Sequence, residues 1–302
     1  MTDAFVTTER AAAEAAASRP QGIATDPHAK LRSSRPLHLR LWVPLGGLVL
    51  FVMAGYFAPL PFDPRKPGST GETLLSPSGT HWMGTDKFGL DVFSRLVASA
   101  ATDIPLAVSG MVISLVVGVV LGLVASLPGR GGERLVRALD VFQAFPLLLI
   151  AIAVVAMMGN NLTNVVIAIV IINIPRFIRL VRSEGLSIRE SRYMEAARAV
   201  GVSTPRLLFR HMLPNMTGTI LAQASLAVAN AIVVIASLSF LGIGINAADP
   251  SWGAMLQTGA ANITTGQWWV WAFPGAAVFV TILCLNAIGD ELQDAFGRAK
   301  TL

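Results

Sequence analysis

The stretch "SRYMEAARAVGVSTPRLLFRHMLPN", residues Ser191–Asn215, carries four arginines, one glutamate and one histidine between two long apolar runs. Ser187 and Glu190, three residues apart, have the spacing of a capping box, in which each side chain satisfies the other's orphan backbone donor, so a helix is expected to begin there. It should run through "RESRYMEAARAV" and close at Gly201, whose missing side chain permits the left-handed conformation that ends helices. Thr204 then caps a second short helix with Pro205 in its first turn, and Pro214 ends it. The expected product is a hairpin with Arg189, Arg192, Arg198, Arg206 and Arg210 in water. Ala196, Ala197 and Gly201 form a low surface that a partner's backbone can approach. An interfacial helix held by anionic lipid is the competing reading.

The flanking runs set the class. Of 302 residues, 53% are hydrophobic and 14% charged, against about a quarter charged in soluble domains, so the chain reads as an all-α polytopic membrane protein. Uncharged runs near the roughly 20 residues a spanning helix needs lie at 41–60, 104–127, 141–158, 216–246 and 268–289. A run from Leu162, continued through "RFIRLV" to Val181 with snorkelling arginines, makes six transmembrane helices.

Residues 1–40, 128–140, 176–215 and 290–302 hold nineteen of the 23 lysines and arginines, and residues 61–103 hold the other four. Basic residues accumulate in cytoplasmic loops, which predicts both termini and the hairpin inside the cell, in a multi-pass plasma-membrane protein. The expected order is a disordered cytoplasmic tail over 1–40, a first transmembrane helix over 41–60 and an extracytoplasmic loop over 61–103. A transmembrane core over 104–289, containing the cytoplasmic loop 182–215, and a tail over 290–302 follow. The net charge of +5 follows this loop pattern and forms no aromatic-interleaved patch, so no nucleic-acid partner is expected.

Within the second run Gly110, Ser114, Gly118, Gly122 and Ser126 recur at four-residue steps, giving one small face for close packing against another span or a partner subunit. Asn173, Gln223, Asn230 and Asn286 are uncharged polar residues inside runs. They line a wet translocation path, or they make interhelical hydrogen bonds worth about 1 kcal/mol each.

Other chemistry is missing from the runs. Asp140, Asp290 and Glu291 fall at span ends, which does not suit a proton-coupled carrier, and His28, His38, His81 and His211 are expected in loops, away from any buried nucleophile. No HExxH metal motif and no GxxxxGK[ST] phosphate loop occur, and Cys284 is the single cysteine, inside an apolar run. No catalytic residue and no metal site are expected, and energy must come from outside the chain.

"EAARAVGVSTPRLLFRHMLPN", Glu195 to Asn215, resembles the EAA loop of ABC importer permeases of the dipeptide, oligopeptide and nickel family. "HWMGTDKFGLDVFSRLVASA" from His81, "LDVFQAFPLLLIAIAVVAMMG" from Leu139, "SLSFLGIGINAADPSWGAML" from Ser237 and "WWVWAFPGAAVFVTILCLNAIGDELQDAF" from Trp268 agree in order and spacing. The resemblance covers most of residues 80–296 and is to the C-type permease, with the type I ABC importer fold. Departures are Leu90, where the family usually has arginine in "GRD", and "GDELQDAFGRA" near the end.

The resemblance implies that Glu195, Ala196, Ala197, Gly201, Arg210, Leu213 and Pro214 belong to an ATPase-coupling loop. It implies a second, B-type permease, two ATP-binding subunits that carry the ATP and magnesium, and an extracytoplasmic substrate-binding protein, with membrane lipid around the chain and no cofactor bound to it. It also implies an amphipathic element at residues 81–100, with Val92, Phe93, Leu96 and Val97 toward membrane or protein. Peptides of two to several residues are the expected substrate, with nickel or glutathione as alternatives. A passive channel would pass solute without nucleotide, and a membrane scaffold would pass none.

Overall fold

The computed structural model describes residues 37–68, 71–245 and 249–299; the expectation for the N-terminal tail lies, up to residue 36, outside them. Among the described residues the regular structure is helical, with a single isolated bridge between Thr85 and Asp91. The helices are α1 (Leu37–Phe57), α2 (Val92–Ala125), α3 (Gly131–Gln143), α4 (Leu147–Met158), α5 (Leu162–Arg189), α6 (Arg192–Ala199), α7 (Thr204–Phe240), α8 (Trp252–Ala260) and α9 (Trp269–Ala299).

Four of these, α2, α5, α7 and α9, are long and apolar enough to cross a membrane. The expected third span, 141–158, is not one straight helix. Pro146 lacks an N–H and disfavours helical geometry at Phe145, and α3 and α4 meet there at 86°. The twelve residues of α4 alone reach about 18 Å, short of the roughly 30 Å hydrocarbon core. The six expected spans therefore correspond to four long helices, this bent pair and the shorter apolar helix α1.

Three other boundaries move. Residues 92–100 are no separate amphipathic element: Asp91 caps α2, accepting the Ser94 N–H at 2.8 Å, and the helix runs unbroken through Pro105 into the membrane stretch. Val92, Leu96 and Val97 are buried against protein. The expected tail from residue 290 continues α9 as helix to Ala299. Pro214 does not end the second hairpin helix. Residues Leu207–Met212 widen into a π-helical segment, with the Leu213 N–H bonded to the Leu208 carbonyl, and this shift in register carries the helix past a proline that has no N–H to give.

The small face of α2 lies against α5. A Cβ on Gly110 would come 2.6 Å from Ile169 Cγ2 and one on Gly122 2.7 Å from Val181 Cβ, while Gly118 abuts Phe177. Ser114 donates to the carbonyl of Gly110, and Ser126 packs on Gly185. Two apolar clusters result. The larger gathers Val92, Ala100, Ile169, Ile235, Leu238 and Trp252; the second gathers Leu123, Val181, Met194, Leu208, Met212 and Met216. The second cluster joins the basic hairpin to the spans.

Candidate functional site

The hairpin starts later than its sequence signal suggests. Ser187 and Glu190 form no capping box, because α5 runs on to Arg189 and Glu190 is its C-cap; Ser191 is the N-cap of α6. The capping signal falls within the last turn of α5, whose helix continues past it. α6 ends in a Schellman motif: Gly201, at φ +78°, donates to the Arg198 carbonyl at 2.9 Å, and Val202 donates to that of Ala197 at 3.1 Å. Ser203, not Thr204, is the N-cap of α7, one residue earlier than expected, with Pro205 in the first turn.

Met194 is the one side chain of α6 that is fully buried, inserted where the end of α2, the late turns of α5 and the start of α7 meet. Around it the surface is low and open. Glu195, Ala196 and Gly201 are exposed, Ala197 is half-buried, and a Cβ on Gly201 would meet nothing within 4 Å. Val200 beside them is 80% exposed, an apolar side chain with no packing partner within the hairpin. Arg192, Arg198, Arg206, Arg210 and Pro214 are exposed, and Leu213 packs against the second cluster.

Arg189 departs from expectation: its Nη1 turns inward to the Ser126 carbonyl at 3.1 Å, and Arg182 Nε donates to that of Ala125 at 3.1 Å. Both cations sit on the unsatisfied carbonyls that end α2, where the helix dipole is negative. Asn215 Nδ2 donates to the Tyr193 hydroxyl at 3.0 Å, closing α7 onto α6. Met194 packing and the Asn215–Tyr193 bond fasten α6, while Arg182 and Arg189 tie the end of α5 beside it to the end of α2.

At the opposite end of α2 lies a second built site, which the sequence did not announce. His81 lies in a loop, as expected, and is buried there: its Nδ1 lies 2.9 Å from Asp91 Oδ1, both groups are buried, and the Phe62 ring stacks on the imidazole at 4.4 Å. His211, also expected in a loop, is half-buried in the π-helical segment. Asp86 accepts the N–H groups of Phe88 and Leu90 at 2.8 and 3.0 Å; burial pushes its carboxyl above the ordinary range, while those N–H groups and the nearby Arg95 and Lys87 pull it down. Asp63 is lowered by the N–H of Arg65.

This cap clips the helices together. Trp269 Nε1 donates to the Thr85 carbonyl at 3.1 Å and Trp252 Nε1 to that of Leu96 at 3.0 Å. Asp103, buried in α2, accepts from the Trp252 N–H at 2.9 Å and the Ser251 hydroxyl at 3.3 Å. Sequence reading missed Asp103 by ending the outer loop at that residue. A signal was present in the neighbouring Pro105 of an otherwise helical pattern.

The four polar residues expected along a path lie on three helices. Asn173 is buried in α5 with Nδ2 on the Ile169 carbonyl at 3.0 Å. Gln223 and Asn230 lie two turns apart on one face of α7, the first half-buried and the second exposed, and Asn286 is half-buried in α9.

The family model "Binding-protein-dependent transport system inner membrane component" matches residues 94–301. The chain is 41% identical over 258 residues to a dipeptide transport system permease protein of Alkalihalophilus pseudofirmus, covering 82% of this chain and 83% of that one. It is 38% identical to a di/tripeptide transport system permease protein of Pseudomonas aeruginosa, over 83% of this chain and 86% of that one. It is 37% identical to a glutathione transport system permease protein of Pectobacterium atrosepticum, over 78% of each.

Proposed function

Because the chain belongs to the family of binding-protein-dependent transport system inner membrane components, we propose that it is the permease subunit of an ATP-driven importer of short peptides. The curated relatives named for dipeptides, di/tripeptides and glutathione share a peptide backbone as the common chemistry. In this reading the chain forms half of a translocation pore with a second, B-type permease. Two ATP-binding subunits hold nucleotide and magnesium, a binding protein delivers peptide outside, and both termini lie in the cytoplasm. The chain itself catalyses nothing.

The observation that carries the reading is the exposed, side-chain-poor surface of Glu195, Ala196 and Gly201, fastened to the spans through Met194. An ATPase groove closing on α6 moves Met194, and Met194 moves the inner ends of α2, α5 and α7 together. Glu195 supplies a carboxylate for a charge-assisted bond to a basic partner group, and Arg198, Arg206 and Arg210 supply cations around it. Nucleotide shifts the pore between outward and inward access only by the difference in hairpin contact between those states.

The test is Ala196→Trp in the co-expressed complex. A bulky ring on this exposed position leaves the chain's own packing intact. Expected are unchanged membrane levels of the chain, loss of ATPase co-purification and loss of ATP-driven peptide uptake. Wild-type uptake by this variant refutes the docking role.

A further inference from the structure

A recess of about 210 Å³ lies in the cap over the start of α2, with Phe62, Asp63, Lys66, His81 and Asp91 among its walls. At roughly 30 Å³ per molecule it has room for about seven waters, or for the end of one small residue. His81 is only 4% exposed and spends Nδ1 on Asp91 Oδ1 at 2.9 Å, while the other Asp91 oxygen accepts the Ser94 N–H at 2.8 Å. The remaining ring nitrogen, Nε2, has no hydrogen-bond partner among the described residues, yet it is not one of the sealed polar atoms left unsatisfied, so it opens to the recess. An ionised carboxylate only accepts; with the imidazole in its neutral form, Asp91 therefore holds the proton on Nδ1 and leaves Nε2 as a lone pair.

Asp63, whose carboxyl the Arg65 N–H holds below the ordinary range, adds a second acceptor to the same walls. Its other oxygen lies 3.4 Å from Lys66 Nζ, on a side chain 83% exposed, so that ammonium stays largely in water. Two carboxylates and a lone pair turn anions away and suit a ligand that brings N–H donors with positive charge. A metal ion asks for more protein ligands, and no three metal-ligating side chains gather among the described residues. A primary ammonium has three N–H groups, enough for Nε2, Asp63 and one water. Every unblocked peptide carries such a group at its start, whatever its side chains. Resting on the peptide-importer reading, which puts this cap on the side where peptide arrives, we propose that the recess takes the free α-ammonium group of a peptide. His81 Nε2 accepts one N–H, Asp63 opposes the charge, and Asp91 positions the imidazole.

The experiment treats the purified whole complex with diethyl pyrocarbonate, which acylates imidazole through its lone pair, and reads the adduct on each histidine by mass spectrometry. His211, in the π-helical segment near the hairpin, is the internal reference and cancels reagent consumed by added amines. Ethylammonium and trialanine are each expected to slow labelling of His81 relative to His211 about threefold or more, and N-acetyl-trialanine to leave it unchanged. Asp63→Asn should abolish the protection by trialanine. Equal protection by N-acetyl-trialanine, or protection undiminished in Asp63→Asn, overturns the ammonium site. Protection by ethylammonium but not by trialanine overturns the peptide as its source. A His81 that takes no label without ligand overturns the proposal too, because Nε2 would then be closed to a small reagent. ATP-driven trialanine uptake by wild-type vesicles is measured alongside. Uptake without protection overturns the recess alone, whereas protection without uptake keeps the ammonium site and removes the importer reading.

Discussion

Asp103 of α2 accepts the main-chain N–H of Trp252, the first residue of α8, at 2.9 Å across 149 positions of sequence. The same carboxylate takes the Ser251 hydroxyl, and its other oxygen finds no hydrogen-bond partner among the described residues. The acid therefore pins the start of α8, and through α8 the neighbouring helices α7 and α9, to α2.

Asp103→Ala strands two buried donors, at about 1–3 kcal/mol for each left unsatisfied. The expected outcome is a lower unfolding temperature of the detergent-solubilised protein and loosened packing of α8. Asp103→Asn keeps an acceptor for Trp252 and should lose less. Equal loss in the two variants would show that packing, rather than the hydrogen bond, holds the joint.

The α2–α5 seam predicts a steric effect. A side chain at Gly122 enters space held by Val181 Cβ at 2.7 Å and the Ile178 carbonyl at 3.0 Å. Gly122→Leu should cost about 1–3 kcal/mol through forced separation of the two helices. Gly46→Leu, on α1 with nothing within 4 Å, should be nearly neutral. Thermal unfolding of the two variants side by side measures the difference.

Asp86 predicts a pH dependence of the cap over the start of α2. Its carboxyl is raised above the ordinary 3.8 by burial, so the folded state holds a proton that the unfolded chain releases first. Its contribution to stability is therefore greatest below that value, falls as pH rises toward the folded pKa, and levels off above it. Asp86→Asn retains an acceptor for Phe88 and Leu90 and removes the ionisation. The gain in unfolding temperature of Asp86→Asn over wild type should grow between about pH 4 and neutrality; a gain independent of pH rejects the assignment.

Orientation has a direct assay. In a Cys284→Ala background, Ile263→Cys, at a position 58% exposed between α8 and α9, should react with an impermeant maleimide in intact cells. Arg198→Cys, on the exposed side of α6, should react only after the membrane is opened. The reverse pattern would invert the proposed topology and remove α6 from the ATPase side.

Some of this was legible because it is local. Gly201 closes α6 with φ +78°, as a glycine after a short alanine-rich helix is expected to. The four-residue repeat from Gly110 to Ser126 marks a packing face because an α-helix brings such positions into one line. Local signals also misled where neighbouring signals competed. The Ser187–Glu190 spacing fell inside α5, which runs on to Arg189, and Pro214 was absorbed by a widened turn upstream.

By itself, the amino-acid sequence determined the membrane class, the approximate apolar segments and the basic hairpin, because hydropathy, charge and glycine geometry act over one helix or less. Only the tertiary structure decided that α5 covers the small face of α2, that Met194 fastens the hairpin, and that His81 meets Asp91 and Asp103 meets Trp252. The last two pairings join residues ten and 149 positions apart whose types carry no periodic signal, so they exist only once the helices have packed.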